Sequence, residues 1–328
     1  MLLGVAIGDS LGNTSEGMSL NHRNEQFGII DDYLPNRNAG YKRVGVPSDD
    51  TQLTFDTLIV ILNNGYLDME KLASIFASHQ IFGIGNTVKN FLRNYKDLKR
   101  PWYRAGVESA GNGALMRISP VVIPYLKNEG DMRALWADTV LSTMLTHNDP
   151  LAIGSSVAFV DLLTSLLTID EVPEFEALLS RFCSILSDIV GNKVYKGRMQ
   201  RTGEIDNVSE FFMKAIEYGI KNDLSIIDFN ERMGSGAYLL ETVPTVLYIL
   251  KKYIDSPLEA MIQAINYTHD NDTIGSIVGS AMGALYGRRA FKIKWINNLS
   301  GRIRENDDGT VFRLIEETRR MFTTGGSF

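Results

Sequence analysis

The sequence predicts an all-α protein of about ten or more helices in one domain, and three observations lead to this prediction. Apolar residues recur at intervals of three and four along several stretches, which is the helical period. The alternation of polar and apolar residues that is typical of strands is scarce. No linker rich in Pro, Gly or Ser divides the chain, so we expect a single domain over residues 1–328. The predicted helical stretches are Leu53–Leu62, Leu151–Leu167, Phe175–Ile189, Val243–Tyr253 and Ile274–Leu285.

Two of the expected helices carry glycine at every fourth position. Glycine inside a helix costs about 1 kcal/mol relative to alanine, so repeated glycines suggest a close approach of two backbones. We expect the two glycine ridges to lie against each other, which would bring the first and last parts of the chain together. The ridges are Gly4, Gly8 and Gly12 near the start, and Gly275, Gly279, Gly283 and Gly287 near the end.

Two polar segments are predicted to be long loops. The first runs from Asn21 to Pro47 and the second from Gly191 to Asn207. Loops of this length in compact domains are often functional. The second segment carries Lys193, Lys196, Arg198 and Arg201, and two interpretations stay open for it: a solvated polar loop, or a rim that contacts a phosphate or a protein substrate.

Composition limits the classes of function. A net charge of −6 argues against a protein that binds nucleic acid by neutralising phosphates, so nucleic acid is expected only as a modified substrate. The single cysteine, Cys183, lies in an apolar stretch, which favours a buried packing residue and a reducing compartment. The apolar N-terminus lacks a basic segment, and Asp9 interrupts it, so it does not resemble a signal peptide. No uncharged apolar run reaches the roughly 18 residues of a membrane span, so we expect a cytoplasmic protein without a membrane partner.

Two acidic clusters carry the chemical signal. The first is Ser48-Asp49-Asp50-Thr51, which follows Pro47 and precedes a helix that we expect from about Thr51. The second is Asp270-Asn271-Asp272-Thr273, before a helix that we expect near Thr273. Each cluster alone has a structural explanation, because Ser and Asp cap helix N-termini.

Taken together, the clusters supply four carboxylates and several hydroxyl groups. Such hard oxygen ligands suit Mg²⁺ or Mn²⁺ better than zinc. Four carboxylates packed together would repel one another unless cations lay between them. If the clusters converge, the sequence therefore predicts a site for two cations, as in metal-dependent hydrolases.

Other chemistries find little support. The four histidines, His22, His79, His147 and His269, have no zinc-type spacing. The chain has no phosphate-binding P-loop, no esterase elbow and no dinucleotide fingerprint after a strand. The segment Gly111-Asn112-Gly113 could cradle a diphosphate with its backbone amides, but a plain tight turn explains it equally well.

In their order along the chain, these motifs resemble the ADP-ribosylglycohydrolase family, which includes dinitrogenase-reductase-activating glycohydrolases and J1-crystallins. The resemblance covers nearly the whole chain. The matching pieces are Gly8-Asp9-Ser10-Leu11-Gly12 with Glu16, Ser48-Asp49-Asp50-Thr51, Gly83-Ile84-Gly85-Asn86-Thr87, Gly111-Asn112-Gly113 through Arg117, Thr146-His147, Gly234-Ser235-Gly236-Ala237-Tyr238 with Glu241, and Asp270 to Thr273.

The resemblance implies a single orthogonal multi-helix bundle as the fold. It also implies hydrolysis of the bond between the ribose anomeric carbon and an acceptor, with release of ADP-ribose. The substrate would be an ADP-ribosylated protein or a small ADP-ribosyl compound, and the cofactors two Mg²⁺ or Mn²⁺ ions. Glu16, Asp50 and Asp270 match catalytic positions of the family. The implied metal ligands are Ser48, Asp49, Asp50, Asp270, Asp272 and Thr273, and the implied pocket residues are Ser109, Gly111, Asn112, Gly113, His147 and His269.

Two departures from the family concern the surroundings of the site. Thr268-His269 stands where many relatives have two glycines, and Ala110 stands where some carry an aromatic residue. His269 would alter acceptor access, contact substrate or fill space. Three alternatives to a glycohydrolase stay open: a crystallin-like structural protein, a module that binds ADP-ribose without cleaving it, and a two-metal phosphohydrolase.

Overall fold

A computed structural model describes residues 1–36, 39–126, 131–169, 171–172, 174–199 and 203–322. The regular secondary structure of the described part is almost entirely helical, which confirms the predicted all-α class. The α-helices are α1 (Leu2–Gly12), α2 (Leu20–Phe27), α3 (Asp49–Asn64), α4 (Met69–Ser78), α5 (Asn86–Leu92), α6 (Met132–Met144), α7 (Pro150–Thr168), α8 (Phe175–Val190), α9 (Val208–Lys221), α10 (Ile226–Met233), α11 (Leu239–Tyr253), α12 (Pro257–Tyr267), α13 (Asn271–Tyr286), α14 (Ile293–Asn298) and α15 (Thr310–Phe322).

Shorter elements complete the architecture. One π-helical turn continues α5, and 3₁₀ helices connect several of the α-helices. The sole sheet within the described ranges is an antiparallel pair of two-residue strands, β1 and β2. These elements are the π-helix Arg93–Asp97, the 3₁₀ helices Trp102–Arg104, Leu115–Arg117, Ser119–Tyr125 and Gly287–Ala290, and the strands β1 (Tyr195–Lys196) and β2 (Glu204–Ile205).

Helix α13 forms the centre of the bundle. Every residue from Asn271 to Gly283 is buried, as expected for a helix that other helices surround on all sides. Its neighbours include α1, α3, α7, α11 and α12. The starts of α3 and α13, where the two acidic clusters lie, are therefore positioned by the core itself.

The predicted glycine ridges pack directly against each other. A Cβ atom added to Gly4 would overlap the carbonyl of Gly279, and one added to Gly8 would overlap the carbonyl of Gly275. A Cβ atom on Gly12 would overlap the backbone of Asp272, so this glycine sets the contact nearest the acidic residues. The prediction that the first and last parts of the chain meet is confirmed.

Gly287 is not part of this ridge. It follows the end of α13 with a φ of 62°, and an added Cβ would meet nothing within 4 Å. Its role is to end the helix in a backbone conformation that side chains disfavour.

Both segments predicted as loops contain regular structure. Within Asn21–Pro47, helix α2 continues to Phe27, and the Ser19 side chain accepts a hydrogen bond from the His22 amide at its start. Local capping explains this helix, because its polar residues show little apolar periodicity. Within Gly191–Asn207, strands β1 and β2 form a short hairpin.

Two further expectations concern apolar segments. Cys183 is buried, as predicted. Helix α7 is long and apolar enough to cross a membrane by length and composition, and 72% of its most apolar window is buried inside the bundle. Its packing against α6, α8 and α13 accounts for its apolar composition.

We predict that Gly8→Ala destabilises the fold strongly. The added methyl group would collide with the backbone of Gly275, so α1 and α13 would have to separate. We expect a loss of about 3 kcal/mol in the free energy of unfolding, because overpacking outweighs the gain of about 1 kcal/mol in helix propensity. Chemical denaturation measures this loss.

The matched control is Gly85→Ala. An added Cβ at Gly85 meets nothing within 4 Å, and this residue lies at the start of α5 with a φ of −73°. We expect a change below about 1 kcal/mol there. Equal stability of the two variants would contradict the close packing of the ridges.

Candidate metal centre

Two helix starts meet at the centre of the bundle. Asp49 and Asp50 lie in the first turn of α3, while Asp270 precedes α13 and Asp272 lies in its first turn. The Thr273 hydroxyl donates to Asp50 Oδ2 across 3.4 Å, which joins the two clusters. Both helices begin two residues earlier than predicted, because the aspartates themselves form the first turns.

Glu16 adds a third source of carboxylate oxygen. It lies in the turn that follows α1, and one carboxylate oxygen each from Glu16, Asp270 and Asp272 lies within 4.8 Å of the others. Glu16 is half-buried, whereas the two aspartates are buried. The contact of Gly12 with the Asp272 backbone brings this turn to the start of α13.

Asp49 and Asp50 lie beside this trio rather than in it. A glycine allows another segment to approach Asp49: Gly83 has a φ of 89°, and a Cβ atom there would lie 2.8 Å from Asp49 Oδ1. The first turn of α3 is therefore in close contact with the segment that leads into α5.

Asp9 fixes the start of α3. Its carboxylate accepts hydrogen bonds from the Ser48 and Thr51 amides at 2.8 to 3.0 Å, from the Ser48 hydroxyl at 2.7 Å and from the Thr51 hydroxyl at 2.6 Å. Capping by the Ser48 side chain, one structural explanation for the first cluster, is not seen: its hydroxyl donates to Asp9 instead. Because the hydroxyl hydrogen points to Asp9, the lone pairs of Ser48 Oγ stay available for a ligand.

The sequence analysis assigned no role to Asp9. In the sequence, Asp9 stands out only as a single charged residue inside the otherwise apolar segment of α1. In the structure its side chain is completely buried. A buried carboxylate requires hydrogen-bond donors or counter-charge. Its donors lie about forty residues away in sequence, so spacing could not identify them.

The electrostatics of the cluster are unfavourable for bare carboxylates. Burial raises the pKa of Asp49, Asp50 and Asp272 well above the usual range, and the charges of neighbouring carboxylates raise these pKa values further. The pKa of Asp270 rises to about 6, mainly through burial. One oxygen of Asp50, Oδ1, is buried without a hydrogen-bond partner.

These observations fit a bound cation. Five carboxylates and two hydroxyl groups belong to the two helix starts and the adjoining turn, and three of the carboxylates form one close trio. The positive ends of two helix dipoles offset their repulsion only in part. A divalent cation would neutralise the charge and occupy the orphaned acceptor position of Asp50. The donor set contains oxygen alone, as Mg²⁺ and Mn²⁺ prefer.

Arg23 is a buried counter-charge that the sequence analysis missed. It lies in α2, inside the segment predicted as a loop, and its side chain donates to the carbonyls of Thr268 at 2.6 Å and Ser15 at 3.2 Å. Burial lowers the pKa of Arg23 to about 10, while the charge of Asp272 acts in the opposite direction. Arg23 thus ties the turn with Glu16 to the segment before Asp270.

The Gly111-Asn112-Gly113 segment is directly connected to the acidic cluster. The Asn112 side-chain amide donates to Asp270 Oδ2 at 2.6 Å and to the Thr242 hydroxyl at 3.0 Å. The Gly111 amide donates to Ser109 Oγ at 3.2 Å, and the Thr87 and Ser109 hydroxyls lie 2.9 Å apart. Of these residues, Asn112 is buried, and Ser109 and Gly111 are half-buried.

His147 lies beneath this loop. Its imidazole is buried, Nδ1 is 2.8 Å from the Thr146 hydroxyl, and a Cβ atom added to Gly113 would lie 3.0 Å from Cε1. Burial lowers the pKa of His147 to about 3, and the charge of Arg117 contributes. The ring is therefore neutral and supports the loop from below; its predicted contact with substrate stays a prediction.

His269 and Ala110 differ in exposure. His269 is exposed between the buried Thr268 and Asp270, and its carbonyl accepts a hydrogen bond from the Gly17 amide beside Glu16. Its side chain therefore lies at the mouth of the acidic cluster. Ala110 is half-buried, and its carbonyl accepts from the Leu239 amide.

Several known proteins are similar to this chain over most of its length. The chain is 24% identical over 307 residues to the ADP-ribosyl-[dinitrogen reductase] glycohydrolase of Rhodospirillum rubrum, covering 92% of this chain and 89% of that protein. It is also 24% identical over 352 residues to the ADP-ribosylhydrolase ARH3 of Xenopus tropicalis, covering 98% and 96% of the two chains. A solved structure described as an ADP-ribosylglycohydrolase-related protein complex superimposes with a TM-score of 0.69 at 22% identity, over 98% of this chain and 95% of that one.

The sequence model of one family spans almost the whole chain. It is the ADP-ribosylglycohydrolase model, and it matches residues 1–323. The match includes both acidic clusters, the turn with Glu16 and the Gly111–Gly113 loop. The chain therefore belongs to the ADP-ribosylglycohydrolase family.

Proposed function

We propose that this protein is a metal-dependent hydrolase that cleaves the bond between ADP-ribose and an acceptor and releases ADP-ribose. One observation carries the proposal: carboxylates from two distant parts of the chain converge beside a glycine loop, and Asn112 connects that loop to Asp270. A cation site and an anion-binding loop in direct contact suit a substrate that contains both a sugar and a diphosphate.

Two divalent cations, Mg²⁺ or Mn²⁺, would be held by the acidic clusters. The proposed ligands are the residues that form the starts of α3 and α13, with Glu16 at the open side. Bound there, the cations supply charge neutralisation, orientation of the ribose hydroxyls and activation of water for attack. The proposed ligands are Ser48, Asp49, Asp50, Asp270, Asp272 and Thr273.

The remaining residues would bind substrate and move protons. The Gly111–Gly113 loop would border the diphosphate, with Ser109 beside it and His147 below. The half-buried carboxylate of Glu16 takes a proton from the attacking water or returns one to the leaving acceptor, as acids do in other glycosidases. Exposed His269 lies where the acceptor would leave, and it limits which acceptors fit.

An assay for released ADP-ribose tests the proposal. Arginine-linked and serine-linked ADP-ribosyl peptides are incubated with the protein in Mg²⁺, in Mn²⁺ and in chelator. We expect release from at least one peptide with a cation present, and loss of that release in chelator. Binding of ADP-ribose without any release would replace the proposal with a binding module, and release of phosphate from ADP-ribose would replace it with a phosphohydrolase.

Asp272→Asn should abolish turnover without unfolding the protein. The carboxylate belongs to the trio with Glu16 and Asp270, and an amide cannot neutralise a cation. We expect turnover to fall at least about 100-fold, because loss of a residue that only supports a metal ligand already lowers activity about 10- to 100-fold. The circular dichroism spectrum should stay unchanged. Asp188→Asn, at an exposed position of α8, is the control. Wild-type turnover in Asp272→Asn would refute the assignment of this residue.

The stability of the cation-free protein should fall as pH rises. The folded-state pKa of Asp270 is about 6, and those of Asp50 and Asp272 are also raised, so the folded chain holds protons that the unfolded chain releases. Their contribution is complete below the unfolded pKa of about 4 and is lost as pH rises through the folded values. In chelator, we therefore expect a lower melting temperature at pH about 8 than at pH about 5.5.

Added cation should reverse this trend. A divalent ion stabilises the ionised carboxylates, so the melting temperature at the higher pH should rise when Mg²⁺ or Mn²⁺ replaces the chelator. The difference between the two conditions isolates the acidic cluster from all other titrating groups. The same pH profile with chelator and with cation would contradict a cation site in this cluster.

A further inference from the structure

The hairpin formed by β1 and β2 is anchored beside the Gly111 loop. Lys193 Nζ lies 2.8 Å from Asp149 Oδ2 and 2.6 Å from a carboxylate oxygen of Glu108, which precedes Ser109. The Tyr195 hydroxyl donates to Asp149 Oδ1 at 2.8 Å, and Asp149 is buried at the start of α7. The base of the hairpin is therefore held on the scaffold that supports the loop.

Tyr238 connects the hairpin to the loop itself. Its backbone forms an antiparallel bridge with Gly111, and its hydroxyl donates to the Lys196 carbonyl at 3.2 Å. The guanidinium of Arg198 lies over the Tyr238 ring, with Cζ 4.5 Å from the ring centroid. Through Tyr238, these contacts connect a cation to the Gly111 loop.

Arg198 differs from the other cations near the loop in its partners. Lys193 already has two carboxylate partners, and Arg117 is buried and donates to Ser142 and Thr146. Arg198 is exposed, and among the described residues no carboxylate lies within ion-pair distance of it. Its positive charge is available to a ligand.

We propose that Arg198 binds the diphosphate of the nucleotide portion of the substrate and of the product. This inference rests on the proposed function. A diphosphate beside the Gly111–Gly113 loop would lie near the carboxylate of Asp270, which Asn112 connects to that loop, so its negative charge requires a positive group nearby. The Arg198 guanidinium lies over the Tyr238 ring, and its forked N–H donors match phosphate oxygens.

The binding of ADP and of adenosine to the cation-loaded protein tests this assignment. The variants are Arg198→Gln, which removes the charge, and Arg198→Lys, which keeps the charge without the fork. The matched control is Arg232→Gln, because Arg232 makes the same kind of stack, 4.6 Å from the ring of Tyr218, on a tyrosine that carries no backbone bridge to the loop. Calorimetric titration gives the dissociation constants, and peptide turnover gives KM and kcat.

We expect Arg198→Gln to weaken ADP binding about 10-fold or more, the usual effect of losing a charge-assisted hydrogen bond. Arg198→Lys should fall between Arg198→Gln and the wild type, Arg232→Gln should equal the wild type, and adenosine binding should not change. In turnover, Arg198→Gln should raise KM and leave kcat unchanged, since the contact with the diphosphate stabilises the bound substrate and the transition state equally.

Three results would overturn the assignment. Unchanged ADP affinity in Arg198→Gln would mean that the diphosphate does not reach this residue. Equal weakening of ADP and adenosine would make Arg198 a support for Tyr238, and an effect on peptide KM without one on ADP affinity would place it on the acceptor side. If the wild type binds ADP but never releases ADP-ribose, the proposed function fails while the ADP titrations still decide the role of Arg198.

Discussion

The rest of the site depends on the hydrogen bonds that the carboxylate of Asp9 accepts. It lies in α1, yet it accepts the hydrogen bonds that open α3, so one buried side chain joins the first helix to the first acidic cluster. The glycine ridge of the same helix packs α1 against α13 and the second cluster. Helix α1 thus holds both clusters at once, and its apolar sequence reflects burial on nearly every side.

This arrangement has an unfavourable electrostatic free energy. Burying several carboxylates together raises their pKa values, and the donors around Asp9 and Asp270 lower this cost only locally. Folding by itself gains nothing from that concentration of charge. A bound divalent cation would offset this unfavourable energy. The interaction of a cation with acceptor oxygens is strongest where those oxygens are already held in place and poorly hydrated.

Much of this structure follows from the sequence, and the exceptions share a cause. The helical period, the glycine spacing and the aspartates before each helix are local patterns, and they predicted the helical class, the contact of α1 with α13 and the position of both clusters. Asp9 and Arg23 were missed because their partners are distant: the donors to Asp9 belong to α3, and the acceptors of Arg23 include Thr268. Helix α2 was missed since a polar surface helix has almost no apolar period. The capping explanation for Ser48 fails because buried Asp9 accepts the hydrogen bond from its hydroxyl.

The side-chain amide of Asn112 constrains the geometry of the site. Both of its N–H groups are occupied, one by Asp270 and one by Thr242, so the glycine loop and the acidic cluster cannot shift independently. The distance between a group held on the loop and a bond held at the carboxylates is therefore constant. Under the proposed function, this fixed distance would set how many atoms a ligand can have between its phosphate and its sugar, and a molecule one linkage shorter or longer would place the wrong atom at the carboxylates.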